Sequence, residues 1–178
     1  MAVPASLLRG GLTMKSIRLV VPVIALVLAL LPSPALASTT YTESVLGVET
    51  GPPQSTPSCD DSNSVSSFAG IARGTLNGGF QIAVCHTPLA PSAEILGGTF
   101  ILSNGTTTVA GGFASGGTVT YVTTFVTGSF CIQKFAVSGD LLPSGHFAGK
   151  LLHYGSGTAS SCNVFFATIS GSAELTSP

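Results

Sequence analysis

The sequence predicts an all-β protein, an eight-stranded antiparallel meander stapled by two disulfides, with a closed barrel favoured over a two-sheet sandwich. Three observations carry this. From Val65 onward, short runs of β-branched and aromatic residues alternate with turn signals, and no stretch has helical periodicity long enough to compete. Many of the 22 glycines mark hairpins or sit inside strand runs, where tight bends and bulges help a sheet close. Cys59, Cys85, Cys131 and Cys162 are an even set in a small chain that begins with an export signal, which reads as disulfides.

The N-terminus comes first. Lys15 and Arg18 precede the apolar run Leu19 to Leu31, broken only by Pro22, and Pro32 to Ala37 ends in Ala35-Leu36-Ala37. This is the pattern of a Sec-type signal peptide over residues 1–37, cleaved after Ala37, with 1–13 a start-site extension upstream of Met14. The apolar run is shorter than the roughly 20 residues that span a bilayer. No adjacent arginine pair is present, and Ser38 rather than Cys opens the mature chain, so twin-arginine export and a lipid anchor are both disfavoured. The expected product is secreted, without a membrane anchor after cleavage.

Cleavage leaves Arg73, Lys134 and Lys150 against Glu43, Glu49, Asp60, Asp61, Glu94, Asp140 and Glu174, a net charge of −4. Without a basic cluster the phosphate-binding term of nucleic-acid affinity is missing, so no nucleic-acid partner is expected. Charged residues are only 7% of the whole chain against roughly 25% in an average domain, so the surface is mostly hydroxyl and backbone groups.

Residues 38–64, with GPPQSTPS at their centre, read as a flexible Ser/Thr/Pro-rich arm, and Tyr41 to Val48 is too sparse in apolar residues for more than a short strand. The barrel domain is placed at 65–178. Phe68 to Leu76 and Phe80 to Cys85 meet through Asn77, Gly78 and Gly79, which tolerate the positive φ of a hairpin turn. Ile95 to Leu102 meets Thr107 to Ala114 through Ser103, Asn104 and Gly105. Asn104-Gly105-Thr106 also matches a glycosylation acceptor, which the turn already explains. Ser115 to Gly117 is read as a reversal into Thr118 to Thr127. Gly128 and Ser129 lead to Phe130 to Gly139, Pro143 to Gly145 to His146 to Tyr154, and a small-residue loop to Cys162 to Leu175. Closure is the arrangement that leaves no exposed edge.

In this meander Cys59 and Cys85 fall at one end and Cys131 and Cys162 at the other, which predicts the pairs 59–85 and 131–162, each worth roughly 3 to 4 kcal/mol. In the last strand Phe165, Ala167, Ile169, Gly171, Ala173 and Leu175 share one face, and Phe147, Gly149 and Leu151 share one in the strand before it. These faces form the expected core. Phe135, Phe147, Leu151, Phe165, Ile169, Tyr121 and Gln133 are the expected lining of a small apolar ligand site.

Catalytic signals are sparse. The same meander gathers His86, Glu94, Asp140, His146, Asp60 and Asp61 near one end, but no H-x-H or H-E-x-x-H spacing supports a metal, and no cofactor is indicated. His153 beside Tyr154 reads as a half-buried rim anchor. No G-x-S-x-G elbow supports serine hydrolase chemistry. The threonines at 106–108, 118, 120 and 123 are first of all good strand formers.

The segment GHFAGKLLHYG at Gly145 to Gly155, preceded by Val137-Ser138-Gly139, resembles the G-x-F-x-G strand of small secreted bacterial barrels related to allene oxide cyclase and dirigent proteins. The resemblance covers about a dozen residues. It implies an eight-stranded antiparallel barrel that binds apolar small molecules and in some members guides cyclisation or coupling, and it carries over no catalytic residue. The leading expectation is therefore a non-catalytic exported barrel that binds a small apolar ligand or a surface partner. A cyclase- or isomerase-like enzyme is the alternative, with Gln133, Lys134, Tyr121 and Asn163 as its inward polar candidates. A structural or adhesive envelope protein is a third, suggested by low charge and Thr and Gly content.

Overall fold

The computed structural model describes residues 38–51, 59–60, 62–89 and 91–177. The expected signal peptide, the PPQSTPS stretch at 52–58 and Asp61 lie outside the described residues. The described residues form nine strands: β1 Thr39–Glu49, β2 Ser64–Gly74, β3 Gly78–His86, β4 Ser92–Ser103, β5 Thr108–Phe113, β6 Gly117–Thr127, β7 Phe130–Leu142, β8 Gly145–Gly157 and β9 Cys162–Ser177. All pairings are antiparallel and the single sheet closes into a ring, β1 joining β2 on one side and β9 on the other.

Two corrections to the expected topology offset each other. Residues 39–49 are not an arm: they are β1, paired from Thr39 to Glu49 along β9 and β2. Their pattern hides this because the inward set is Tyr41, Glu43, Val45 and Gly47, while Leu46 and Val48 stand outside, 57% and 53% exposed. Gly47 is needed inside, since a Cβ there would lie 2.5 Å from Phe80 Cζ. Glu43 is 1% exposed, and its Oε1 accepts a hydrogen bond from the Leu76 backbone N–H of the β2–β3 turn.

The second correction concerns Ser115 to Gly117, which kinks the chain without reversing it. The Ala114 N–H donates to Asp140 O at 2.9 Å on one side, and the Gly116 N–H to Ile95 O at 2.9 Å on the other. Pinned between β7 and β4, β5 and β6 run on in one direction, and β4 pairs with both in turn. Nine strands therefore fill eight positions around the ring.

The hairpin expectations hold. Asn77 has φ 54° and brackets Gly74 with two hydrogen bonds, and Asn104 Oδ1 accepts from the Thr106 and Thr107 N–H groups at 3.0 and 2.8 Å. The disulfides are Cys59–Cys85 and Cys131–Cys162, with Cα separations of 5.5 and 5.9 Å, as the sequence suggests. Because residues 115–117 do not reverse the chain, both lie at the same end of the ring, where β2, β7 and β9 begin and β3 ends. The same correction separates the expected polar cluster: His86, Glu94 and Asp60 fall at the disulfide end, Asp140 and His146 at the opposite end. The 131–162 bridge passes Gly155 of β8, where a Cβ would sit 2.9 Å from Cys162 Sγ.

The core is the inward face of every strand, including Phe68, Phe80, Phe100, Phe113, Phe135 and Phe147. Ala167, Ile169, Ala173 and Leu175 face it as expected, but Phe165 does not. A bulge in β9 pairs Tyr154 with Phe166 and Gly155 with Val164, so Phe165 is left out of the ladder and is 60% exposed.

Each bridge closes a loop of moderate separation, 26 and 31 residues. Replacing Cys131 and Cys162 together by Ala should lower stability by about 3 to 4 kcal/mol in urea unfolding. For Glu43, Ala leaves the Leu76 N–H unpaired and should cost about 1 to 3 kcal/mol. Gln keeps an acceptor there and should cost clearly less; equal losses would refute the role assigned to this hydrogen bond.

Candidate functional site

Side chains fill most of the ring's interior. The voids among Phe68, Ile82, Phe113 and Leu151, and among Phe80, Phe100, Leu141 and Leu175, are about 40 and 30 Å³. That is room for a few waters, far below the roughly 300 Å³ at which ligand pockets begin. Edge-to-face contacts of Phe113 with Phe100 and Phe147, at 6.2 and 6.4 Å, close the centre.

On the inner face, a larger space lies at the disulfide end. An open cleft of about 460 Å³ lies over the inward face of β6, β7 and β8, lined by Leu89, Pro91, Tyr121, Thr124, Gln133, Phe135, His153, Ala159 and Val164. It exists because β6 to β9 run further at this end than their neighbours. β4 pairs only with Gly117–Thr120 of β6, and β1 leaves β9 at Thr168. Phe135 is the floor, 4% exposed, with Tyr121 edge-on at 5.8 Å and the His153 ring at 5.0 Å. Leu89 lines both this cleft and the 40 Å³ void beneath it.

Two bulges aim the lining. In a regular strand Tyr121 and Thr124 would face opposite ways. The register shifts between Tyr121 and Thr123, leaving Val122 unpaired, so both face the cleft and their hydroxyls meet at 2.9 Å. The β9 bulge likewise turns Val164 into the cleft. Thr124, Gln133 and His153 form one cross-strand row over β6, β7 and β8.

His153 supplies the distinctive chemistry. Burial, and secondarily the positive charge His86 can carry, hold its imidazole below the ordinary value of 6.5, so it is neutral at neutral pH. Neither ring nitrogen has a hydrogen-bond partner among the described residues, so it offers one donor and one acceptor to the cleft. His86 is committed: its Nδ1–H donates to Thr87 O at 2.7 Å, and its Nε2 meets Ser66 Oγ at 3.0 Å.

Of the seven residues expected to line a ligand site, Tyr121, Gln133 and Phe135 line the cleft. Phe147, Leu151 and Ile169 are packed in the core around the small void, and Phe165 points outward. Lys134 lines a shallow outer depression with Lys150, and Asn163 is exposed, so neither serves as an inward polar group. Leu89, Pro91, Thr124, Ala159 and Val164 carried no sequence signal, because loop closure and bulges bring them in.

A second polar constellation lies on the outer face at the opposite end. His146 Nδ1 meets Asp140 Oδ1 at 2.8 Å and its Nε2 meets Ser138 Oγ at 3.1 Å, the connectivity of a hydrolase triad that sequence spacing did not suggest. Ser138 is paired to Thr118 and Ala148 on both sides, so its strand offers no free N–H for an oxyanion hole. No described group of His, Cys, Asp and Glu could hold a metal ion. Compared with protein-family models, curated proteins and solved structures, the chain matches none.

The lowered His153 value has a signed consequence. As pH falls below 6.5 the unfolded chain takes up this proton before the folded chain, so the folded state loses stability through the window between 6.5 and the lowered value and is unaffected above it. Urea unfolding of wild type and His153→Gln, from neutral to mildly acidic pH, should show a shallower acid decline in the variant. Parallel declines would mean that His153 does not titrate as placed.

Proposed function

We propose that this protein is exported through a cleaved signal peptide and binds a small, largely apolar ligand carrying one hydrogen-bonding group, without catalysing its conversion. The observation that carries this is the uncommitted, neutral imidazole of His153, in one row with Thr124 and Gln133, in a cleft whose remaining walls are Tyr121, Leu89, Pro91, Phe135, Ala159 and Val164. About 460 Å³ suits a small organic molecule, and a few convergent polar atoms among apolar walls are the usual composition of such sites. Two disulfides suit an oxidising, extracellular-type environment, and no described helix is long and apolar enough to cross a membrane. The leader over residues 1–37 supports the export route.

One observation favours a second reading, a cyclase- or isomerase-like activity in line with the dirigent-like resemblance. Tyr121, Gln133 and His153 share the cleft, so a hydroxyl and an imidazole could both reach one substrate.

Native mass spectrometry of the protein purified from culture medium should reveal a bound apolar compound, or uptake of one from an extract. Val164→Trp, which fills the cleft from an exposed position, should abolish that adduct while leaving unfolding little changed. A protein that neither carries nor takes up any apolar compound sinks the binding reading. Recovery of a chemically altered compound from wild type but not from Tyr121→Phe would replace it with the second.

A further inference from the structure

β6 has one edge without a strand. β7 pairs with it as far as Thr127, whereas β4 covers its other edge only from Gly117 to Thr120. The β4 ladder stops there because β4 begins at Ser92, directly after Pro91, which has no N–H to donate. From Tyr121 to Thr127 the outward backbone groups on that edge have no backbone partner among the described residues. Along the same segment Val122, Phe125 and Val126 are 48%, 57% and 42% exposed. Proteins normally blunt such edges with charge, proline or short strands. Residues 117–129 contain neither a charged residue nor a proline.

We propose that this edge is the contact between two copies of the chain, joined as antiparallel β6 strands about a twofold axis at Phe125. Residues 123–127 then pair with themselves: Phe125 faces its own copy, Thr123 faces Thr127, and Thr124 faces Val126. A strand edge laid antiparallel to itself is self-complementary, as a twofold interface requires. Charge permits the pairing, and the open backbone edge selects the place. Three cations and seven carboxylates remain in residues 38–178, but none lies in 117–129, so two copies meet there without like-charge repulsion. A lipid surface is the poorer occupant, because hydrocarbon cannot satisfy an open sheet edge. A second strand satisfies the backbone and covers Phe125 and Val126 together. The dimer contact does not rest on the ligand reading, although the seam adjoins the cleft: Thr124 lines it and would lie beside Val126 of the second copy.

The protein purified from culture medium should sediment as a concentration-dependent dimer across the micromolar range. Phe125→Lys and Thr127→Lys, both at exposed positions, should each shift it to monomer while leaving disulfide content and circular dichroism unchanged. Phe125→Cys should form an intermolecular disulfide to its own copy on mild oxidation, since directly opposed residues lie within disulfide reach, whereas Phe166→Cys should not. A wild-type monomer at every concentration, dimers that survive both lysine substitutions, equal crosslinking at 166, or association only with zwitterionic lipid vesicles would each overturn the proposal.

Discussion

Each backbone group in a closed sheet has to find a partner on the strand beside it, and in this ring one strand, β1, makes that possible. It lies between β2 and β9, which without it would both be edges. Its side chains are fitted to that position more than to burial. Gly47 makes room for the Phe80 ring, and Glu43 satisfies the Leu76 N–H of the β2–β3 turn at the expense of a buried carboxyl. Leu46 and Val48 are left outside. Closure draws the strands tight enough for phenylalanines of β4, β5 and β8 to meet, so the interior is a core with voids of only about 40 and 30 Å³.

The two ends of the ring differ because its strands differ in reach. β6 to β9 continue past β1 and β4 at the disulfide end, leaving part of their inner face uncovered and one edge of β6 unpaired. Bulges at Val122 and Phe165 set which side chains that uncovered face presents. The Cys131–Cys162 bridge ties β7 to β9 across Gly155, fixing the same extension. Cleft, free edge and staple are thus consequences of one mismatch in strand length. At the opposite end the Asp140–His146 pair lies on the outer face, and its exposure and fully paired backbone leave it a surface contact.

Much of the strand pattern from residue 64 on was legible because local chemistry decided it. Asn77 and Asn104 have the turn roles their sequence context implies, and the alternation in β8 and most of β9 separates core from solvent. The disulfide pairing also followed, since each pair opens or closes strands two positions apart or adjacent, and one unsuspected kink left that parity intact within each pair. The candidate site was less legible. Tyr121, Gln133 and Phe135 were within reach of strand alternation, but Phe165 was misplaced by a bulge that no residue type announces. His153 stood out only as a rim histidine until its row with Thr124 and Gln133 was formed.

What the sequence determined by itself is what depends on neighbours along the chain: strand-forming runs, positive-φ turns, an inward and an outward face, and a nearly charge-free surface. The tertiary structure decided what depends on partners far along the chain. It made Thr39–Glu49 the closing strand, because β2 and β9 offered two edges to an inward face too polar to advertise itself. It turned Ser115–Gly117 from a reversal into a kink, because Asp140 and Ile95 hold the flanking N–H groups on both sides. Glycine permits either conformation, and only long-range hydrogen bonds choose between them.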